Sequence, residues 1–234
     1  LLGVENLDID LVLEGDGIAY AERLSANLRG KIKSHPKFGT AAITLPDGFR
    51  IDVATARAEY YEYPAALPTV EHSSIKLDLY RRDFTMNALA IRLNAQRFGE
   101  VMDFFGGQQD LRNRRIRVLH NLSFVDDPTR ILRAVRFESR FDFRISHETE
   151  RLIKNAARMN LLDKVSGRRI WSELLLLFQE PHPASILLRL ESFGLLQFLS
   201  PRFHFDQGKV RGFSRVEEVL VWYRLLYRDD PISK

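Results

Sequence analysis

Tyr80-Arg81-Arg82-Asp83-Phe84-Thr85-Met86-Asn87-Ala88-Leu89-Ala90 sets charges and an amide against a continuous apolar run. A buried helix has no use for Arg-Arg-Asp at its edge, and a solvated face has none for Phe, Met and Leu. The mixture suits a wall on which a fold presents cations to a polyanion. Further on, Val125-Asp126-Asp127-Pro128-Thr129-Arg130-Ile131-Leu132-Arg133-Ala134-Val135-Arg136-Phe137 repeats the logic. Near the start stands Leu7-Asp8-Ile9-Asp10-Leu11.

The 234 residues suffice for one large domain or two small ones. No apolar run approaches the roughly 20 residues of a membrane span. Cysteine is absent, which removes disulfides and thiolate metal sites and fits a reducing cytoplasm. The six histidines show no metal-ligand spacing. Net charge is only +4, yet the pI is about 9.4 and arginine crowds the segment from Arg112 to Arg144. Clustered basic charge points either to a polyanionic partner or to a solvated, arginine-rich helix face.

Alternation over Leu7–Leu13 predicts a half-buried strand. Asp16-Gly17 opens a helix carrying Ile18, Leu24 and Leu28 and ending near Gly30. Strands are expected over Lys31–Phe38, Thr40–Leu45 and, after the Pro46-Asp47-Gly48 turn, Phe49–Thr55. Together these make a small mixed sheet with a helix across it. Ala58–Ser74 has prolines, tyrosines and no period; it reads as a long loop, either closing over a ligand or held rigid by its tyrosines. Ile75–Ala90 reads as partly helical and Ile91–Asp103 as a return to strand. From Val125 onward the pattern is helical, with helices at His147–Arg158, Gly167–Gln179, Ala184–Ser192 and Arg215–Arg228. Trp171 and the leucines after it read as core. Ser166-Gly167-Arg168-Arg169 reads either as a plain cap or as a cap that touches RNA phosphates. The layout is α/β followed by all-α, with a boundary near Asn121.

On a strand, residues i and i+2 share a face, so Asp8 and Asp10 project together. Paired carboxylates repel unless a cation or proton joins them. Hard oxygen donors suit Mg²⁺, and two such ions can activate a 3′-hydroxyl and hold a triphosphate. The other reading is the solvated edge of an exposed strand. Asp52, in Arg50-Ile51-Asp52-Val53, supplies a third acid on a neighbouring predicted strand.

Adenine and cytosine share an edge, an amino donor beside a ring-nitrogen acceptor; guanine and uracil present the reverse. A carboxylate only accepts and a guanidinium only donates, so an Asp and an Arg held side by side can take A and C and refuse G and U. Asp127 and Arg130, three apart at a helix start, can form such a pair, or a cap with an intrahelical salt bridge. Arg133 and Arg136 each step back about 60° around the helix. They fall either to a triphosphate or to helix packing, with long stems wrapping round.

Taken in order, the three segments resemble class II tRNA nucleotidyltransferases and bacterial poly(A) polymerases, over residues 1 to about 180. The resemblance implies a polymerase-β-like nucleotidyltransferase palm over residues 1–120, a helical neck that recognises the base over 121–180, and the start of a helical RNA-binding body over 181–234. It implies template-independent addition of A, C or both to the 3′ end of tRNA, with ATP and CTP as substrates, Mg²⁺ as cofactor and the cytoplasm as location. It carries Asp8 and Asp10 as metal ligands, Asp52 as the third catalytic acid, and Arg82, Asp127, Arg130, Arg133 and Arg136 as nucleotide-binding. The family's usual Glu-Asp is Asp126-Asp127 here. A Gly-Gly-x-Val-Arg-Asp segment lies just upstream of this Leu-Leu-Gly in the family, so the sequence reads as a fragment. The loop at Glu59–Pro64 and Leu67–Glu71 looks more like A-adding or CCA-adding relatives than like poly(A) polymerases. A poly(A) polymerase, and a non-catalytic RNA- or nucleotide-binding module, are the competing readings.

Overall fold

A computed structural model describes residues 9–200 and 202–227. Asp8, the first acid of the Asp-x-Asp pair, lies outside them. The chain divides into two compact units: the first holds the described residues up to Glu62, then Leu67–Arg82 and Asn87–Phe105; the second holds Tyr63–Ala66, Asp83–Met86 and the chain from Gly106.

The first unit is α/β. It opens with β1 (Ile9–Leu13), α1 (Gly17–Leu28), β2 (Lys31–His35), β3 (Thr40–Thr44) and β4 (Arg50–Thr55). The sheet order is β1-β4-β3-β2; β1 runs parallel to β4 and the other pairs are antiparallel. Alternation decides the faces. Ala41, Ile43, Ile51 and Val53 are buried with Ala21 of α1, and Leu11, Leu13 and Leu24 pack against them. Burying each of Ile43, Ile51 and Val53 contributes about 1.5–3 kcal/mol. The residues between them, Asp10, Asp52, Ala42 and Thr40, fall on the opposite face, which α1 does not cover.

α1 forms where the pattern placed it. Asp16 caps it, accepting from the Ile18 and Ala19 amides at 3.0 Å. Gly17 sits so close to β4 that a Cβ would lie 2.8 Å from the Thr55 amide nitrogen, and its own amide donates to Thr55 Oγ1.

Residues 58–74 are not a structureless loop. β5 (Arg57–Tyr60) and β6 (Thr69–His72) pair antiparallel, with Pro64 and Pro68 in the connection rather than in the ladder. The strands are too short for a period to show. α2 (Ile75–Tyr80) follows, capped by Ser74, and β7 (Leu89–Ile91) pairs with β8 (Val101–Asp103).

The second unit is mainly helical: α3 (Gly107–Arg112), α4 (Ser123–Asp126), α5 (Thr129–Phe141), α6 (His147–Arg158), α7 (Gly167–Phe178), α8 (Pro183–Ser192) and α9 (Gln207–Leu226). α5 is its centre; Ile131, Leu132, Ala134, Val135 and Phe137 are buried in one core with Phe84, Phe124, Leu177 and Leu190. α9 starts well before Arg215 because Asp206 caps it, accepting from the Lys209 amide at 2.9 Å. The chain is not helical throughout after Val125. β9 (Arg115–Ile116) pairs in parallel with β10 (Arg144–Ile145), and Phe84 bridges to Val118. These long-range pairings tie residues 106–120 to the helices, so the compact units part at Gly106 rather than near Asn121. Trp171 is not core: it is 61% exposed, while Leu174 and Leu177 face inward. Among the described residues, no helix is long and apolar enough to cross a membrane.

Candidate active site

In the first unit the parallel register sets Asp10 directly beside Asp52. Neighbouring strands lie about 4.8 Å apart, so the two carboxylates share the open face within reach of one cation. Asp52 Oδ1 accepts from Arg50 Nη2 at 2.8 Å and Nε at 3.1 Å, so both bonds fall on the same carboxylate oxygen. Both acids line a cleft of about 340 Å³ that also takes in His35, Arg81 and Arg82. Two hard oxygen donors on an exposed sheet face fit a divalent ion that retains water and substrate phosphate in its shell.

The cations of the cleft are fixed from behind by a buried acid. Asp78 is 1% exposed; its Oδ1 accepts from Arg81 Nη2 at 2.9 Å, Arg81 Nε at 3.1 Å and the Arg57 amide at 3.2 Å. Its Oδ2 lies 3.7 Å from Arg82 Nη2. Glu59 of β5 completes the anchor, accepting from Arg57, Arg81 and the Tyr61 hydroxyl. Arg81 is therefore spent on protein carboxylates. Arg82, less buried, also lines the cleft, with Nη1 donating to the Asn87 carbonyl at 3.5 Å.

In the second unit the arginines of α5 serve different partners. Arg130 is buried and donates to Ser123 Oγ at 2.9 Å. Arg133 grips Asp83 through Nε and Nη2, at 2.9 and 2.6 Å. Burial works against that charge, but the carboxylates of Asp83, Glu173 and Asp127 together hold the guanidinium above its ordinary pKa. Arg136 is buried between Glu173 at 3.8 Å and Glu180 at 3.5 Å. Burial pulls Arg136 down and pushes the Glu173 carboxyl up, each against its opposite neighbour. Both guanidiniums also lie over the Phe137 ring, at 5.3 and 5.0 Å.

Asp127 precedes α5 and accepts from the Thr129 amide at 3.0 Å and the Thr129 hydroxyl at 2.6 Å. Its Oδ1 also accepts from Arg169 Nη2 of α7 at 2.7 Å. The cap expected of Asp127 is present. Its charged partner comes from another helix, which spacing within one helix could not reveal.

Residues 1–117 match the family profile described as "Poly A polymerase head domain", and residues 142–206 one described as "Probable RNA and SrmB- binding site of polymerase A". The chain belongs to the poly A polymerase head-domain family. Among its relatives, an A-adding tRNA nucleotidyltransferase of Geobacter sulfurreducens is 52% identical over the whole chain, which covers 26% of that protein. One of Halalkalibacterium halodurans is 43% identical over 93% of the chain and 51% of its own length. A CCA-adding enzyme in an apo form superposes with a TM-score of 0.91 at 47% identity, covering 95% of this chain and 53% of that one. The Thermotoga maritima CCA-adding enzyme complexed with tRNA gives 0.83 at 45% identity, covering 95% and 51%. The chain thus spans about half the length, or less, of the relatives it matches.

Within this poly A polymerase head-domain chain, each unit gathers its own candidates. Asp10, Asp52 and Arg82 meet in the first unit; Asp127, Arg130, Arg133 and Arg136 lie along one helix start in the second. Asp78, Glu59, Arg169, Glu173 and Glu180 are the partners that sequence spacing did not single out. Asp78 stands only three and four residues before Arg81 and Arg82. The others, Glu59 with Arg81, Arg169 with Asp127, and Glu173 and Glu180 with Arg136, join residues far apart in the chain, and no local pattern announces them.

Proposed function

We propose that this chain is the catalytic head, neck and beginning of the body of a template-independent nucleotidyltransferase that adds A, C or both to tRNA 3′ ends. The observation that carries the proposal is Asp10 beside Asp52 on the open face of a mixed sheet, in a cleft with Arg82. Residues 1–120 form the polymerase-β-like palm, 121–180 the neck that reads the base, and 181–234 the start of the RNA-binding body, although the second compact unit already begins at Gly106. The names of the relatives favour tRNA as primer, and A-adding relatives favour ATP as a substrate.

Asp8 and Asp10 are the residues that would hold Mg²⁺, with Asp52 as the third acid beside Asp10. Bound there, the ion supplies charge neutralisation at the reacting phosphate and acidifies a 3′-hydroxyl. The chain's own groups do the rest. Asp52, steadied through one oxygen by Arg50, offers the other to the proton of the attacking hydroxyl. Arg82 draws in the triphosphate. Asp127 accepts from the amino group shared by A and C, and Arg130 donates to the ring nitrogen beside it. Arg133 is locked to Asp83 through Nε and Nη2, and its Nη1, 3.9 Å from Glu173, is the nitrogen that would turn to a phosphate. Arg136, buried between two glutamates, braces α5. The reaction joins the RNA 3′ oxygen to the α-phosphorus and releases pyrophosphate.

The test offers the full-length protein tRNA transcripts ending before the CCA, after C and after CC, with each labelled nucleotide in turn. Addition of a limited number of A or C residues is expected. Long A tails on any RNA would make it a poly(A) polymerase, and RNA binding without incorporation would make it a binding module.

Base reading has its own check. Asp127→Ala should lower ATP or CTP use and cut discrimination against GTP and UTP by at least about tenfold, because the mismatched carboxylate is gone. Relative kcat/KM values for the four nucleotides measure this. Unchanged ratios with only a lower Tm would leave Asp127 as a cap for α5 and a tie to Arg169.

A further inference from the structure

We propose that the edge strand β2 carries the phosphodiester backbone of the RNA strand being extended, on Lys31 and Lys33. The proposal rests on the nucleotidyltransferase reading for the identity of the polymer. Cross-strand register places both lysines on the face of the acids. Lys33 pairs with Ala42, Ala42 with Asp52, and Asp52 with Asp10; Lys31 pairs with Thr44, and Thr44 with Arg50. At about 4.8 Å per strand, the Lys33 Cα stands about 10 Å from that of Asp52.

Between the lysines and the acids lies a low floor. The open-face residues of β3 are Thr40, Ala42 and Thr44, all small, so a chain can lie along that strand with cations on one side and the acids on the other. Lys31 and Lys33 are exposed, and among the described residues neither has an acidic partner within ion-pair distance. Separated by two residues, their Cα atoms lie about 6.6 Å apart along the strand, comparable to the step between successive RNA phosphates. His35 continues the row and lines the cleft itself.

A triphosphate is the poorer occupant. It must end at the acids, where Arg81 and Arg82 already stand, whereas the lysines are two strands away on an edge open to solvent. A polymer whose 3′ end is at Asp10 and Asp52 has to leave the site somewhere, and among the described residues β2 is an exposed edge of the sheet. Lysines also guard edge strands against pairing with another chain. That role does not require both to share the face of the acids, and it makes a different prediction.

The experiment uses the full-length protein and tRNA ending in CC, with binding read at equilibrium across a salt series and ATP kinetics read separately. K31Q/K33Q should weaken tRNA binding on the order of tenfold at 0.1 M salt, since each single-strand phosphate contact carries a salt exponent of about 0.7. The slope of log Kd against log salt should fall by about 1.4, with the KM for ATP unchanged. K31R/K33R should restore both. Parental Kd and slope in K31Q/K33Q would overturn the proposal. So would a raised KM for ATP with tRNA affinity intact, which assigns the lysines to the triphosphate, or self-association with tRNA affinity intact, which leaves them as edge guards. Because binding is read without turnover, a parental protein that binds tRNA but adds nothing would sink the nucleotidyltransferase reading and leave this result standing on its own.

Discussion

Asp10→Ala in the full-length protein is expected to lower nucleotide addition by about a hundred- to a thousandfold, the scale of removing one group that stabilises transition-state charge. Thermal stability should not fall with it. Asp10 is exposed, so its loss strands no buried partner. It is the cross-strand neighbour of Asp52, and like charges side by side on a sheet are destabilising. Removing one should leave the unit as stable as before or slightly more so. A structural acid would show the reverse, normal turnover with a lower Tm. Asp52→Asn gives the second arm. It should abolish addition likewise, while releasing Arg50 from its 2.8 Å contact costs little at an exposed site. Near-parental turnover of either variant in Mg²⁺ would remove the carboxylate pair from the mechanism.

How much of this was legible depends on how local the cause is. α1 was readable to the residue at its start because Asp16 and Gly17 act within one turn of themselves. α6 was readable at both ends for the same reason: Ser146 accepts from the Thr149 amide, and apolar spacing does the rest. The face shared by Asp10 and Asp52 needed one step more. Each strand could be found from its alternation, but the parallel pairing of β1 with β4 across the helix is a property of the sheet. The hairpin over 57–72 was lost because four-residue strands with charged and aromatic side chains show no period, and its prolines look like loop until their place in the connection is known. Trp171 was misplaced because an indole is read as core by size alone; on α7 it stands about 60° round from Leu174 and about 120° from Leu177, at the exposed edge of the buried stripe. The arginine partners were the least legible. Glu59 with Arg81, Asp83 with Arg133 and Asp127 with Arg169 each join segments that only the tertiary fold brings together.

Glu180→Ala should cost about 3 kcal/mol of stability and decide what Arg136 does. The Glu180 side chain is 2% exposed and accepts from Arg140 Nη2 at 2.6 Å and Arg140 Nε at 3.1 Å, with Arg136 Nη1 at 3.5 Å. Arg140 lies partly in water and can rehydrate once the carboxylate is gone. Arg136 cannot; it is 4% exposed, its Nε already lacks a hydrogen-bond partner, and it would keep only Glu173 at 3.8 Å. Breaking a buried pair from one side costs about 3–5 kcal/mol, and the surviving glutamate puts this case at the lower end. Urea unfolding should show the midpoint falling with the slope unchanged. Arg136→Met supplies the contrast. It removes the charge while keeping much of the stem that packs on Phe137, and it leaves Glu180 paired with Arg140, so its stability cost should be clearly smaller. If Arg136 braces α5, R136M should alter KM for ATP by less than about threefold while Glu180→Ala disturbs stability first. If Arg136 instead leaves its glutamates to meet the triphosphate, R136M should raise KM for ATP by tenfold or more, the scale of a charge-assisted hydrogen bond, with little change in the unfolding midpoint.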